Sequence, residues 1–114
     1  MNRDDTVYLY HIRDACDRIA QYLQGVSSNK FNNTPLLQDG VIRQIEIIGE
    51  AIKRVSKDMH STYPEIPWKD IAGMRDKLIH DYFGVDIDTV WLTAKEDIHI
   101  LKDQVIKILQ DLET

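Results

Sequence analysis

The chain has 114 residues, a net charge of −5, 43% hydrophobic residues and 29% charged ones. These values fit one soluble globular domain spanning residues 1–114. They argue against a basic protein that coats nucleic acid over its whole surface, so any nucleic-acid binding must be local. A lone cysteine, Cys16, rules out an intramolecular disulfide and a cysteine-based zinc site, and its place in a helical apolar pattern predicts a buried thiol. No stretch approaches the ~20 apolar residues that span a bilayer, and the N-terminus does not read as a secretory signal. A cytoplasmic protein with no membrane contact is the expectation.

Periodicity predicts four helices. The first covers about 5–24, with Tyr8, Ile12, Ala15, Ile19, Tyr22 and Leu23 on one stripe and Gly25 as its stop. Residues 27–33 read as a loop. Thr34 and Pro35 suit the cap and first position of a second helix, made irregular by Gly40 and firm over 41–56. Its stripe is Ile42, Ile45, Ile48, Ile52 and Val55. Gly49 inside it costs ~1 kcal/mol relative to alanine, which predicts close approach of another backbone. A second loop spans 57–66. Pro67 opens the third helix, which continues through 75–82 to a stop at Gly84. Asp86 or Asp88 caps the fourth, whose stripe is Trp91, Ala94, Ile98, Leu101, Val105, Ile108 and Leu112. No useful strand-like alternation and no repeat is present. The expected fold is all-α and four-helix-bundle-like. A chain this short buries a small share of its surface, so a dimer is expected.

The third helix does not read as plain core. On an ideal wheel Trp68, Ile71, Met74, Leu78, Ile79 and Tyr82 share an apolar face, and Arg75 falls near its middle. His80 lies about 140° from Arg75 on the same wheel. The two meet only if the helix departs from ideality, if the arginine reaches around, or if a second copy completes the site. The residue types suit RNA cleavage. Histidine moves protons near neutral pH, arginine offers a donor fork to phosphate oxygens, and tyrosine donates to phosphate or stacks on a base. RNA supplies its own 2′-hydroxyl nucleophile, so neither a metal nor another cofactor is needed. His11, His60, His80 and His99 are scattered without ligand-like spacing. A structural reading of the same residues also stands. Arg75 would pair with Glu46 or Glu50, His80 would favour a helix C-terminus, and Tyr82 would be core.

Wider context bears on the choice. Arg75-x4-His80-x-Tyr82 resembles the HEPN superfamily signature, in the form found in HepT-like toxins of HEPN/MNT toxin–antitoxin pairs. Ile47-Ile48-Gly49-Glu50-Ala51, Pro64-Glu65-Ile66-Pro67-Trp68, Ile71-Ala72-Gly73-Met74-Arg75 and Val90-Trp91 also resemble that family, so the likeness covers nearly the whole chain. The resemblance implies a homodimeric helical domain with two motifs in a shared cleft. It implies a metal-independent endoribonuclease with Arg75 and His80 catalytic. It also implies a cognate MNT-type nucleotidyltransferase antitoxin that transfers AMP onto Tyr82. Asp76 stands where many relatives carry asparagine, and its expected role is supporting, like that of Tyr82 toward the RNA substrate. The alternative is a non-catalytic HEPN binding module that partners a nucleotidyltransferase, a role compatible with the acidic charge.

Overall fold

The computed structural model describes residues 3–74 and 86–113. Helix α1 (Arg3–Tyr22) carries Asp4 and Asp5 in its first turn, where carboxylates favour the helix dipole. Leu9, Ile12, Ala15, Cys16, Ile19 and Leu23 are buried from it and the turn that follows. Tyr8 is half-buried and Tyr22 is exposed, so the expected stripe holds at its centre and is replaced at its edges by Leu9 and Cys16. Gly25 ends this segment with φ +72, a left-handed conformation that suits a residue without Cβ.

Residues 27–33 are not simply a loop. Ser27 Oγ accepts from the Lys30 amide and caps a short helix α2 (Ser28–Asn32). Phe31 of α2 is fully buried and lies 5.3 Å from the Trp91 ring, which supplies the burial that polar neighbours hid in the sequence. Helix α3 (Pro35–Arg54) begins with proline at its first position, as expected. Thr34 does not cap it, because its hydroxyl donates to the Lys30 carbonyl at 2.6 Å. Gly40 does not disturb the helix either; a Cβ there would come within 3.3 Å of the Tyr22 ring.

The 57–66 segment likewise contains a helix, α4 (Lys57–Thr62), capped by Ser56 and anchored by buried Met59. Helix α5 (Trp68–Ala72) follows Pro67 and turns at Gly73. The predicted continuation of this helix through 75–82, and the stop at Gly84, lie outside the described residues. Asp86, rather than Asp88, caps α6 (Ile87–Leu92), accepting from the Thr89 amide at 3.1 Å. A π-helical stretch (Thr93–Asp97) joins α6 without a break to α7 (Ile98–Glu113).

Contacts set the packing direction. The start of α1 meets the end of α3 through Asp5 and Ser56, and its end meets the start of α3 through Tyr22 and Gly40, so the pair is antiparallel. Helix α7 also runs antiparallel to α1, as the Asp17–Lys102 ion pair (2.7 Å) and the Tyr10–Glu113 hydrogen bond show. Helix α5 packs on α3, and α2 packs on α3 and α6. One hydrophobic cluster runs through all these helices, from Leu9 to Leu109. Among the described residues the fold is all-α with no strand, and no helix there is long and apolar enough to cross a membrane.

Candidate functional site

The predicted site residues Arg75, Asp76, His80 and Tyr82 lie outside the described residues. The structure does show how the chain is held on the approach to them. Trp68 heads α5 and is buried; its indole N–H donates to the Tyr63 carbonyl at 2.9 Å, across the turn that contains Pro64. His60 of α4 stacks on the Trp68 ring, with centroids 4.6 Å apart and planes 17° from parallel. The His60 Nε2 atom is buried without a hydrogen-bond partner. Ile71 and Met74 follow into the core, so every apolar residue expected on this face up to Met74 is buried.

Gly49 fixes the height at which α5 rests on α3. A Cβ at this position would sit 3.6 Å from the Ala72 carbonyl oxygen and 4.0 Å from that of Ile71. The predicted close approach of a second backbone is therefore present, and it falls three residues before Arg75. On the other side of α5, a cavity of about 690 Å³ separates it from the π-helical stretch and α7, with Met74, Thr93, Asp97 and Gln104 among its walls. π-helical turns occur frequently at functional sites, and this one borders the cavity that reaches Met74.

A second concavity, of about 390 Å³, lies between α1 and α3. Tyr8 and His11 come from α1; Arg43, Glu46, Ile47, Glu50, Ala51 and Arg54 come from α3. Arg43, Ile47, Glu50 and Arg54 follow one another at steps of four, three and four, which puts them on one helix row. The spacing is visible in the sequence, but the groove also needs Tyr8 and His11 of α1, which only packing brings alongside. Tyr8 and His11 meet edge-on, 6.3 Å apart at 76°.

Cys16 is buried as expected, and its pKa is pushed up to about 12, first by burial and then by the neighbouring Asp17 charge. The thiol is therefore no nucleophile at neutral pH. Among the described residues no group of histidine, cysteine, aspartate and glutamate side chains is arranged to hold a metal ion.

An all-α chain with this helix order and this approach to an Arg-x4-His-x-Tyr sequence defines a class, and comparison with known proteins identifies it. The chain belongs to the family described as ribonuclease HepT-like, whose profile matches residues 12–108. It is 47% identical over 111 residues to a Methanocaldococcus jannaschii protein named "Putative RNase", covering 97% of this chain and 96% of the relative. It is 44% identical over 108 residues to the "Probable ribonuclease HepT" of Thermococcus cleftensis, covering 95% and 98%. A "Putative RNase" of Caldanaerobacter subterraneus subsp. tengcongensis is 44% identical over 103 residues, covering 90% and 92%. No solved structure matches the chain.

Proposed function

We propose that this chain is a metal-independent endoribonuclease and the toxin of a HEPN/MNT toxin–antitoxin pair. The observation that carries the reading is the family match over residues 12–108, which encloses Arg75-x4-His80-x-Tyr82. The ribonuclease names of its full-length relatives support it further.

In this reading His80 moves the protons. It takes one from the ribose 2′-hydroxyl or gives one to the departing 5′-oxygen. The 2′-oxygen bonds to phosphorus as the P–O5′ bond breaks, leaving a 2′,3′-cyclic phosphate and a 5′-hydroxyl. The Arg75 guanidinium holds the charge that grows on the phosphate oxygens. Tyr82 contacts the RNA, and Asp76 supports the arrangement. Two copies place their motifs in one cleft as a homodimer in the cytoplasm. A nucleotidyltransferase antitoxin transfers AMP from ATP to the Tyr82 oxygen, with release of pyrophosphate. The added phosphate repels RNA from the cleft.

The test is cleavage of RNA by the purified full chain in EDTA, alongside Arg75→Ala and His80→Ala. The expected result is wild-type cutting with cyclic-phosphate ends, and loss of cutting in both variants with the helical circular dichroism retained. A His80→Ala chain that cuts as well as its parent overturns the catalytic assignment. A folded wild type that cuts nothing yet binds a nucleotidyltransferase tightly makes the chain a binding module instead. Sedimentation analysis reads the dimer, and mass spectrometry after incubation with ATP and the transferase reads the AMP on Tyr82.

A further inference from the structure

We propose that the groove between α1 and α3 is a nucleotide subsite that takes a guanosine of the RNA strand. The inference rests on the ribonuclease reading and adds a second contact region outside the Arg75–Tyr82 motif.

The groove measures about 390 Å³, within the range of small-ligand sites. Ile47 and Ala51 form an aliphatic floor, and the Tyr8 and His11 rings stand beside it. This is the kind of surface on which an unstacked base rests. Its rim carries two arginines, Arg43 and Arg54, whose backbones are about 16 Å apart along the helix axis and whose long side chains can each reach inward over the groove. Neither has an ion pair among the described residues, although two carboxylates line the same groove. Glu46 is already partnered, and Glu50 has only a long, solvent-exposed contact of 3.8 Å to Lys53. Two open donor forks therefore flank one loosely held acceptor.

That order matches a nucleotide better than it matches a bare anion. The two arginines and two glutamates cancel in charge, and the whole chain is at −5, so bulk attraction cannot draw RNA to this groove. Recognition must be directional. Arginine forks suit the phosphates on either side of a nucleoside. A carboxylate between them suits base hydrogens, and guanine alone among the RNA bases offers two adjacent N–H donors on its pairing edge.

The experiment measures binding of 2′-O-methyl RNA octamers to the full chain by fluorescence anisotropy over a salt series. These octamers cannot be cut, because the attacking hydroxyl is capped. The wild type is expected to prefer a guanine-containing octamer to an all-uracil one. Arg43→Ala and Arg54→Ala are each expected to weaken binding about fivefold and to flatten the log–log salt slope by about 0.7. Glu50→Gln is expected to erase the guanine preference while leaving the slope as steep or steeper. All three positions are solvent-exposed, and thermal melts check that the variants fold. Variants that bind every octamer with wild-type affinity and slope overturn the subsite. So does a wild type with no preference for guanine. If the variants are unaffected while the wild type cleaves RNA, the subsite falls and the ribonuclease stands. If guanine-dependent binding through Arg43, Arg54 and Glu50 is present but nothing is cleaved, the ribonuclease reading falls instead. A wild type that neither binds nor cleaves RNA overturns both.

Discussion

The carboxylate of Asp5 accepts two hydrogen bonds from Ser56, one from its amide at 2.8 Å and one from its hydroxyl at 2.6 Å. Ser56 caps α4 at the same time, accepting from the Met59 amide at 3.2 Å. Asp5 is 2% exposed. One buried side chain thus joins the first turn of α1 to the helix whose His60 braces Trp68. Asp5→Ala leaves two half-buried donors of Ser56 without their acceptor and should cost about 1–3 kcal/mol. Urea unfolding at fixed protein concentration checks this. A loss within a few tenths of a kcal/mol would show that water replaces the carboxylate without penalty.

Gln44 presents the opposite case. It is buried in α3, and its side-chain Oε1 has no hydrogen-bond partner. A buried acceptor left unpaired is unfavourable by roughly 1–3 kcal/mol. Gln44→Met keeps a similar length and removes the polar atoms, so the midpoint of urea unfolding should rise, with a gain of about 1 kcal/mol. A fall in the midpoint would mean that the amide has a partner in solution.

Substitutions at Gly49 should divide by size. Alanine makes ordinary contact at 3.6 Å from the Ala72 oxygen and removes the glycine helix penalty, so Gly49→Ala should be neutral or stabilising by up to about 1 kcal/mol. Gly49→Leu has nowhere to go without lifting the α5 backbone, and overpacking of this kind costs about 1–3 kcal/mol. If the height of α5 sets the position of the motif that follows it, Gly49→Leu lowers RNA cleavage by more than its melt explains. Equal cleavage per folded molecule would show that the motif is positioned independently of this contact.

Cys16 gives a pH signature. Its folded pKa is raised to about 12, above that of a free thiol. The unfolded chain therefore loses the thiol proton at a lower pH than the folded one does. Stability from this group is complete below about pH 8.5, the free thiol value, and is lost as pH rises toward 12. Lys102 acts in the same direction at the alkaline end, since its hydrogen bond to Asp17 raises its pKa. Cys16→Ala should flatten the decline above pH 8.5 but leave the lysine part. At pH 8 the native thiol should resist a disulfide exchange reagent until urea is added. Immediate reaction of the folded chain would contradict the burial.

The sequence was most readable where burial follows a single period. The central residues of the stripes of α1, α3 and α7 are in the core because each long helix has one partner-facing side, while Tyr22 at the end of the first stripe is exposed. The Gly49 approach and a cap at Asp86 or Asp88 were also readable, since glycine inside a helix and aspartate ahead of one have few other uses; the structure chooses Asp86. Helices α2 and α4 were missed because each is barely longer than a turn and polar apart from one anchor, Phe31 or Met59. Their stability comes from tertiary burial and a serine cap rather than from periodicity. Around the site, the apolar approach through Trp68, Ile71 and Met74 was legible from the wheel. The groove of Tyr8, Arg43, Glu50 and Arg54 was not, because it exists only once α1 and α3 lie side by side.

The π-helical turn at Thr93–Asp97 has a further consequence for the length of the chain. Val90, Ala94 and Ile98 are all buried at successive steps of four residues. On a regular α-helix each such step drifts by about 40°, so the two steps would move about 80° round the helix. The wider turn absorbs that drift. It works as a vernier, setting the phase of α7 against that of α6. Deleting one residue from the regular part of α7 would rotate everything after it by about 100°, whereas deleting one from the π-helical turn would restore a regular helix and keep Leu101, Val105 and Ile108 near their present phase against α1. The residue count is therefore more tolerant in this turn than in the helices on either side, although Thr93 and Ala94 within it are buried.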